Sequence, residues 1–123
     1  MKRFIAAVAI IATAGLFFSS PAQAGGKKGT ITGTVVDTYC LVTMNMGGPG
    51  HKQCATNCAK NGSPLGIKED KTGTVYLAAG QKNMLYASPG LEKYVEQRVT
   101  VQGTVYERDG VKMIVVDSAA PAK

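Results

Sequence analysis

The sequence predicts a small, mainly β domain that follows an N-terminal segment outside the fold. Apolar and polar residues alternate with a period of two over several short runs, which is typical of strands with one buried face. Turn signals rich in glycine separate these runs. Helical periodicity covers only two short stretches, so the pattern excludes helical and α/β folds.

Residues 1–24 have the composition of a secretory signal peptide. Lys2 and Arg3 give a basic start, residues 4–18 form an apolar run, and Ala22-Gln23-Ala24 carries the small-x-small signature of a cleavage site. The run is too short to span a membrane, and no later segment is long enough. We expect cleavage after Ala24 and a periplasmic or secreted product that keeps 99 of the 123 residues.

The first half of the remaining chain predicts one strand and an insertion. Residues 25–29 form a flexible leader, and residues 30–40 alternate as a strand that ends at Cys40. Three glycines and a proline make residues 41–50 a loop. Residues 51–60 lack both residue types and predict a short helix, which Asn61-Gly62 ends. The insertion therefore covers residues 41–63.

The second half predicts four strands and one helix. Residues 65–68 and 74–79 form a hairpin around a polar turn. Ser88-Pro89 begins a helix, with Ser as its cap and Pro at its first position. Its inward stripe has the spacing i, i+3, i+4 and comprises Leu91, Tyr94 and Val95.

The last two strands form a second hairpin. Residues 99–106 alternate most clearly, and Asp109-Gly110 turns the chain into residues 111–117. Residues 119–123 remain as a frayed tail.

Five strands with a helix between the third and fourth are the arrangement of an oligonucleotide/oligosaccharide-binding (OB) barrel, here over residues 30–118. A small open β-sandwich is the alternative. Gly33, Gly73 and Gly103 mark bends of a tightly curved sheet.

Four potential metal ligands lie within 19 residues. Cys40, His51, Cys54 and Cys58 have the spacing C-x10-H-x2-C-x3-C and comprise every cysteine and the only histidine of the chain. On a helix, the last three share one face. Three thiolates and an imidazole match a tetrahedral Cys3His zinc site. Met44 and Met46 in the intervening loop add soft thioethers, which suit Cu(I).

The same cysteines have two other interpretations. A disulfide from Cys40 to Cys54 or Cys58 would fix the insertion to the barrel, and the odd number would leave one thiol over. Cys54 and Cys58 could instead cycle between dithiol and disulfide near His51. Asp37, three residues before Cys40, is a candidate hydrogen-bond acceptor for His51, with a solvated strand position as the alternative.

Other functions have little support in the sequence. No recognisable nucleophile triad, phosphate-binding loop or pair of acids in an apolar frame occurs, so no residue is assigned a catalytic or cofactor-binding role. After removal of the signal peptide, 12 basic residues stand against 8 acidic ones, and the basic ones are scattered. Nucleic-acid binding would need a basic cluster and exposed aromatic side chains.

The pattern Asp37-x2-Cys40, His51-x2-Cys54-x3-Cys58 and Gly62-x-Pro64-x-Gly66 resembles that of small exported bacterial proteins, mostly uncharacterised, with an OB-like barrel and a Cys/His insertion. The resemblance covers residues 30–67 by motif and 73–117 by strand pattern. It implies that Cys40, His51, Cys54 and Cys58 act together and bind one metal ion. Met44 and Met46 lie outside the pattern, so Zn(II) is favoured over Cu(I). Another exported protein remains a candidate partner.

Overall fold

A computed structural model describes residues 25–80 and 90–123. In chain order, its elements are β1 (Lys27–Asp37), α1 (Thr38–Met44), a 3₁₀ turn (Pro49–His51), α2 (Lys52–Lys60), β2 (Leu65–Glu69), β3 (Val75–Ala79), a second 3₁₀ turn (Glu92–Tyr94), β4 (Arg98–Arg108) and β5 (Val111–Pro121). Within these ranges, no helix is long and apolar enough to cross a membrane.

The five strands form one closed barrel in the order β1-β2-β3-β5-β4. β3 and β5 run parallel, and every other neighbouring pair runs antiparallel. β1 closes the barrel because its first part pairs with β4 and its last part with β2, with both pairings meeting at Gly33 and Thr34. The predicted mainly β class and the five-stranded barrel are confirmed.

The interior of the barrel contains branched aliphatic side chains, and among the described residues no aromatic side chain is fully buried. The largest of these are Leu65, Ile67, Leu91, Ile114, Val35, Val95, Val99 and Val101. Ala55 and Ala59 of α2 belong to the same buried cluster. Their small side chains let the helix lie close to the barrel, and this contact places the residues of the insertion over one end of the core.

Strand pairing extends into both predicted flexible ends. Lys27 and Lys28 of the expected leader pair with Val105 and Thr104 of β4. At the other end, Ala119, Ala120 and Pro121 of the expected tail pair with the first residues of β4. β4 has 11 residues, and these pairings provide hydrogen-bond partners for its backbone groups. Residues 27–29 and 119–121 are therefore strand rather than flexible leader and tail.

The insertion begins earlier than predicted. β1 ends at Asp37 rather than at Cys40, and residues 38–44 form α1 rather than strand and loop. The carboxylate of Asp37 accepts a hydrogen bond from the backbone N–H of Cys40 at 3.1 Å, which caps the helix. Asn45, with φ of 51°, ends it. The predicted helix over residues 51–60 is present, as the turn ending at His51 followed by α2.

The predicted helix before β4 is shorter than expected where the structure describes it. Ser88 and Pro89 lie outside the described residues, and the described part contains only the turn Glu92–Tyr94. Leu91 and Val95 nevertheless point into the core, where they are 1% and 0% exposed. Tyr94 is partly buried and packs against the same core, so the predicted inward stripe is confirmed at all three positions.

Two strand glycines allow close approach of neighbouring backbones. A Cβ atom added at Gly33 would collide with the carbonyl oxygen of Lys68, and one at Gly103 with the carbonyl oxygen of Val115. Gly103 also adjoins the irregular register between β4 and β5. The predicted bends at these two positions fit the structure, whereas Gly73 lies in the β2–β3 turn with φ of 71°.

We expect Gly33→Ala and Gly103→Ala each to destabilise the barrel by ~1–3 kcal/mol, because backbone atoms cannot move aside as side chains can. Gly29→Ala is the matched control in β1, since its Cβ would meet only a Val105 methyl group at 3.6 Å. Urea unfolding of the three variants measures the effect. Equal midpoints for Gly29→Ala and Gly33→Ala would contradict the close approach.

Candidate metal centre

Asp37 and Cys40 stand where the chain leaves the barrel. Asp37 is 1% exposed and Cys40 is also 1% exposed. The Oδ1 atom of Asp37 accepts hydrogen bonds from the Cys40 N–H at 3.1 Å and from the Ser63 hydroxyl at 2.8 Å. Because Ser63 follows α2, this carboxylate joins the start and the end of the insertion and fixes the position of the Cys40 thiol.

α2 and the preceding turn carry the other three predicted ligands. His51 ends the 3₁₀ turn and is buried, Cys54 is exposed, and Cys58 is half-buried. The side of α2 that includes Ala55 and Ala59 packs on the barrel. Cys54 and Cys58 therefore lie along the edge of this contact, next to α1.

The potential ligand atoms converge in two groups of three. One group contains Cys40, His51 and Cys54, and the other contains Asp37, Cys40 and Cys58. Within each group, the ligand atoms lie within 4.8 Å of one another. Around a tetrahedral zinc ion, bonds of about 2.0–2.3 Å separate ligand atoms by about 3.3–3.8 Å. Shifts of less than about 1 Å per ligand atom would bring either group to bonding distance.

His51 is oriented for ligation by Glu96, a residue that the sequence analysis did not identify. The Nδ1–H of His51 donates to Oε1 of Glu96 at 3.1 Å, since a carboxylate oxygen can only accept. Both side chains are almost fully buried, at 3% and 1% exposed. Nε2 of His51 is buried and has no hydrogen-bond partner within the described residues. An imidazole held through one nitrogen, with the other unpaired, is the usual state of a histidine ligand.

The chain positions Glu96 through its backbone. Glu96 has φ of 57°, an uncommon value for a residue with a side chain. Its N–H donates to the carbonyl of Val35 in β1 at 2.8 Å. Its other carboxylate oxygen accepts from the Gly48 N–H at 2.8 Å. Backbone strain of this kind is often found where a side chain must be placed for function.

The expected role of Asp37 was wrong. His51 bonds to Glu96, and Asp37 is neither its partner nor a solvated strand residue. Asp37 could have been recognised as a helix cap, because Asp is a preferred cap residue and Cys40 lies three positions later. Nothing local marks Glu96, which stands 45 residues from His51. Met44 and Met46 lie at the end of α1 with exposed side chains.

The pKa values of two thiols, those of Cys40 and Cys58, are raised. Burial, followed by the hydrogen bond and the charge of Asp37, raises the pKa of Cys40 from 9.0 to about 12. Burial and the neighbouring Cys54 raise the pKa of Cys58. For Asp37, burial acts to raise the pKa, but the hydrogen bonds from Ser63 and Cys40 outweigh it and lower the pKa below 3.8. The carboxylate is therefore ionised at neutral pH while the adjoining thiols are not.

No protein-family model, curated protein or solved structure matches this chain.

We expect the metal-free protein to lose stability relative to Cys40→Ser as the pH rises above 9. The unfolded chain releases the Cys40 proton near pH 9.0, whereas the folded chain keeps it to about 12. Folding therefore favours the protonated thiol, and this contribution is complete below pH 9 and lost through the interval up to 12. Urea unfolding with chelator and reductant measures the difference, and a pH-independent difference would contradict the buried thiol.

Proposed function

We propose that this chain is an exported metal-binding protein that holds Zn(II) with Cys40, His51, Cys54 and Cys58 on an OB-like barrel. The buried, unpaired Nε2 of His51, fixed through Glu96 and grouped with the thiols of Cys40 and Cys54, carries the proposal. A buried polar atom without a partner costs free energy, and a metal ion would remove that cost.

Cys58 completes the proposed set through its position next to Cys40. The two residues share a ligand group with Asp37. Zn(II) accepts this combination of imidazole and thiolates. Cu(I) is a weaker candidate because the thioethers that would favour it belong to Met44 and Met46, whose side chains are 50% and 42% exposed.

Export and the OB type of the barrel belong to the same proposal. The composition of residues 1–24 supports export. The barrel order β1-β2-β3-β5-β4 and the parallel pairing of β3 with β5 support an OB-like fold. The insertion between β1 and β2 then lies at one end of the barrel, where the ion would hold α1 and α2 to it.

The exposed position of Cys54 supports a role in metal handling as well as a structural role. Structural zinc sites are usually closed, whereas here one proposed ligand is exposed. An incoming thiolate from a partner could reach the ion at this point. Cys40 would remain inaccessible at 1% exposure.

A thiol/disulfide redox role is the second candidate. Its support is that Cys58 lies close to both Cys40 and Cys54. Against it, a thiolate rather than a thiol is the attacking group, and the pKa values of Cys40 and Cys58 are raised. The structure therefore favours metal binding over exchange. In a Zn(II) complex, binding would release these protons, so affinity would fall with falling pH.

Zinc binding to the reduced, metal-free chain tests the proposal directly. Native mass spectrometry and competition with a chromophoric chelator should show retained Zn(II), which His51→Ala and Cys54→Ser each weaken by more than about tenfold, since each removes a ligand. Thr56→Ala, at a half-buried position of α2 outside both ligand groups, is the matched control because the Thr56 hydroxyl donates to the Lys52 carbonyl within the same helix.

Retention of neither Zn(II) nor Cu(I) would exclude the metal-binding function. A chain purified without metal, with the mass loss of two hydrogen atoms, would instead support the disulfide. Equal affinities of the wild type and His51→Ala would remove His51 from the ligand set.

We expect Glu96→Gln to lower zinc affinity by about 10–100-fold, the usual effect of losing the hydrogen-bond partner of a histidine ligand. Glu96 accepts from the His51 Nδ1–H and the Gly48 N–H through different oxygens. In glutamine one of these oxygens is replaced by an NH2 group, which would face one of the two donors. Glu92→Gln is the matched control in the same connection, where Glu92 accepts only from the nearby Gly90 N–H. The same chelator competition measures both variants, and equal losses would contradict a specific role for Glu96.

A further inference from the structure

One carboxylate oxygen of Asp37 takes no part in the hydrogen bonds that hold the insertion. Oδ1 alone accepts both hydrogen bonds that cap α1 and attach Ser63. Oδ2 is buried and has no hydrogen-bond partner within the described residues. An ionised carboxylate oxygen in this position is costly unless a donor or a cation meets it. The Cys40 thiol and the Tyr39 N–H also act on this carboxyl and lower its pKa, but neither meets Oδ2 with hydrogen-bond geometry. Oδ2 is therefore open to a cation.

The second group of ligand atoms surrounds this oxygen. Asp37, Cys40 and Cys58 place their ligand atoms within 4.8 Å of one another, as closely as Cys40, His51 and Cys54 do. Each group therefore includes one buried polar side chain with an unpartnered atom, His51 in one and Asp37 in the other. Cys40 is the member that both groups share.

Charge gives an independent argument. One divalent ion balances two negative charges, whereas two ions would balance four and so allow the carboxylate of Asp37 and all three thiolates to be present together. Uncompensated buried charge is strongly unfavourable, and Asp37 and Cys40 are both buried.

We propose that the centre holds two divalent ions, with the Cys40 thiolate as the bridge between a His51–Cys54 subsite and an Asp37–Cys58 subsite. This inference rests on the proposed function and divides its four ligands between two ions, because Cys58 shares a ligand group with Asp37 and Cys40 and not with His51. Asp37 is then both the cap of α1 and a ligand, through different oxygens. The sulfur of a thiolate has more than one lone pair and can bind two ions at once.

The ligand chemistry restricts the second ion. The Asp37–Cys58 subsite combines a carboxylate oxygen with thiolates, a combination that Zn(II) accepts. Cu(I) selects soft thiolate and thioether ligands, so it fits this subsite poorly. With three protein ligands in each subsite, each ion would keep one position for water or another ligand, as catalytic zinc sites do.

Zinc stoichiometry tests the proposal on the full chain, reduced and freed of metal. Native mass spectrometry during Zn(II) titration should show two ions for the wild type and one for Asp37→Asn. Asparagine keeps an oxygen that can serve both Oδ1 hydrogen bonds, so the cap is preserved, and far-UV circular dichroism in chelator checks the fold. Asp109→Asn, in the β4–β5 turn, is the matched control for loss of a carboxylate and should keep two ions.

Three other results of the zinc titration would each contradict the two-ion centre, the Asp37–Cys58 subsite or the proposed function. A wild type that binds one ion, with the same affinity as Asp37→Asn, overturns the two-ion centre and leaves the proposed function intact. Two ions in Asp37→Asn place the second ion elsewhere and overturn the subsite. No bound ion in the wild type contradicts both proposals.

Cobalt substitution provides a readout on the wild type alone. Two high-spin Co(II) ions bridged by one thiolate couple antiferromagnetically, so the electron paramagnetic resonance signal should grow with the first equivalent and fall with the second. A signal that doubles with the second equivalent shows independent ions and overturns the shared Cys40 bridge.

Discussion

The buried contact between His51 and Glu96 determines how the insertion sits on the barrel. Glu96 belongs to the connection before β4, and its backbone N–H bonds to Val35 of β1. Its carboxylate reaches both His51 and Gly48 of the insertion. A carboxylate in this environment needs such donors, because burial without them is costly. The contact leaves Nε2 of His51 without a hydrogen-bond partner in the described part of the chain, and it holds His51 in the ligand group that includes Cys40 and Cys54.

Asp37 makes the complementary connection at the other end of the insertion. Its Oδ1 joins the start of α1 to Ser63, so the chain enters and leaves the insertion at one carboxylate. The core beneath contains aliphatic side chains of moderate size, and a small domain has little hydrophobic free energy to spare. Fixing the insertion by polar contacts therefore compensates for a core that, over residues 25–80 and 90–123, has neither Phe nor Trp among its buried residues.

The sequence was sufficient for the five-stranded barrel and for a possible Cys/His metal site, but not for the contacts that position its side chains. Alternation located β4, and the composition around Cys40, His51, Cys54 and Cys58 indicated a common centre. Cys40 was misplaced at the end of a strand because the run before it is β-branched, while the Asp37 cap turns the chain into helix. Glu96 could not be found, since its contact with His51 exists only after β1 and the insertion meet. Local patterns thus predicted the ligand types, and tertiary contacts determined their partners.

The raised thiol pKa values reconcile a cluster of cysteines with an oxidising compartment, which the first 24 residues predict. Cys58 is close enough to Cys40 and Cys54 for a disulfide to compete with metal binding. Oxidation proceeds through the thiolate, and burial keeps the Cys40 thiol protonated up to about pH 12. Only a cation strong enough to displace the proton would generate the thiolate at neutral pH, and the resulting bond would then protect the sulfur. The same burial thus slows oxidation and makes ligation selective for ions that bind thiolates tightly.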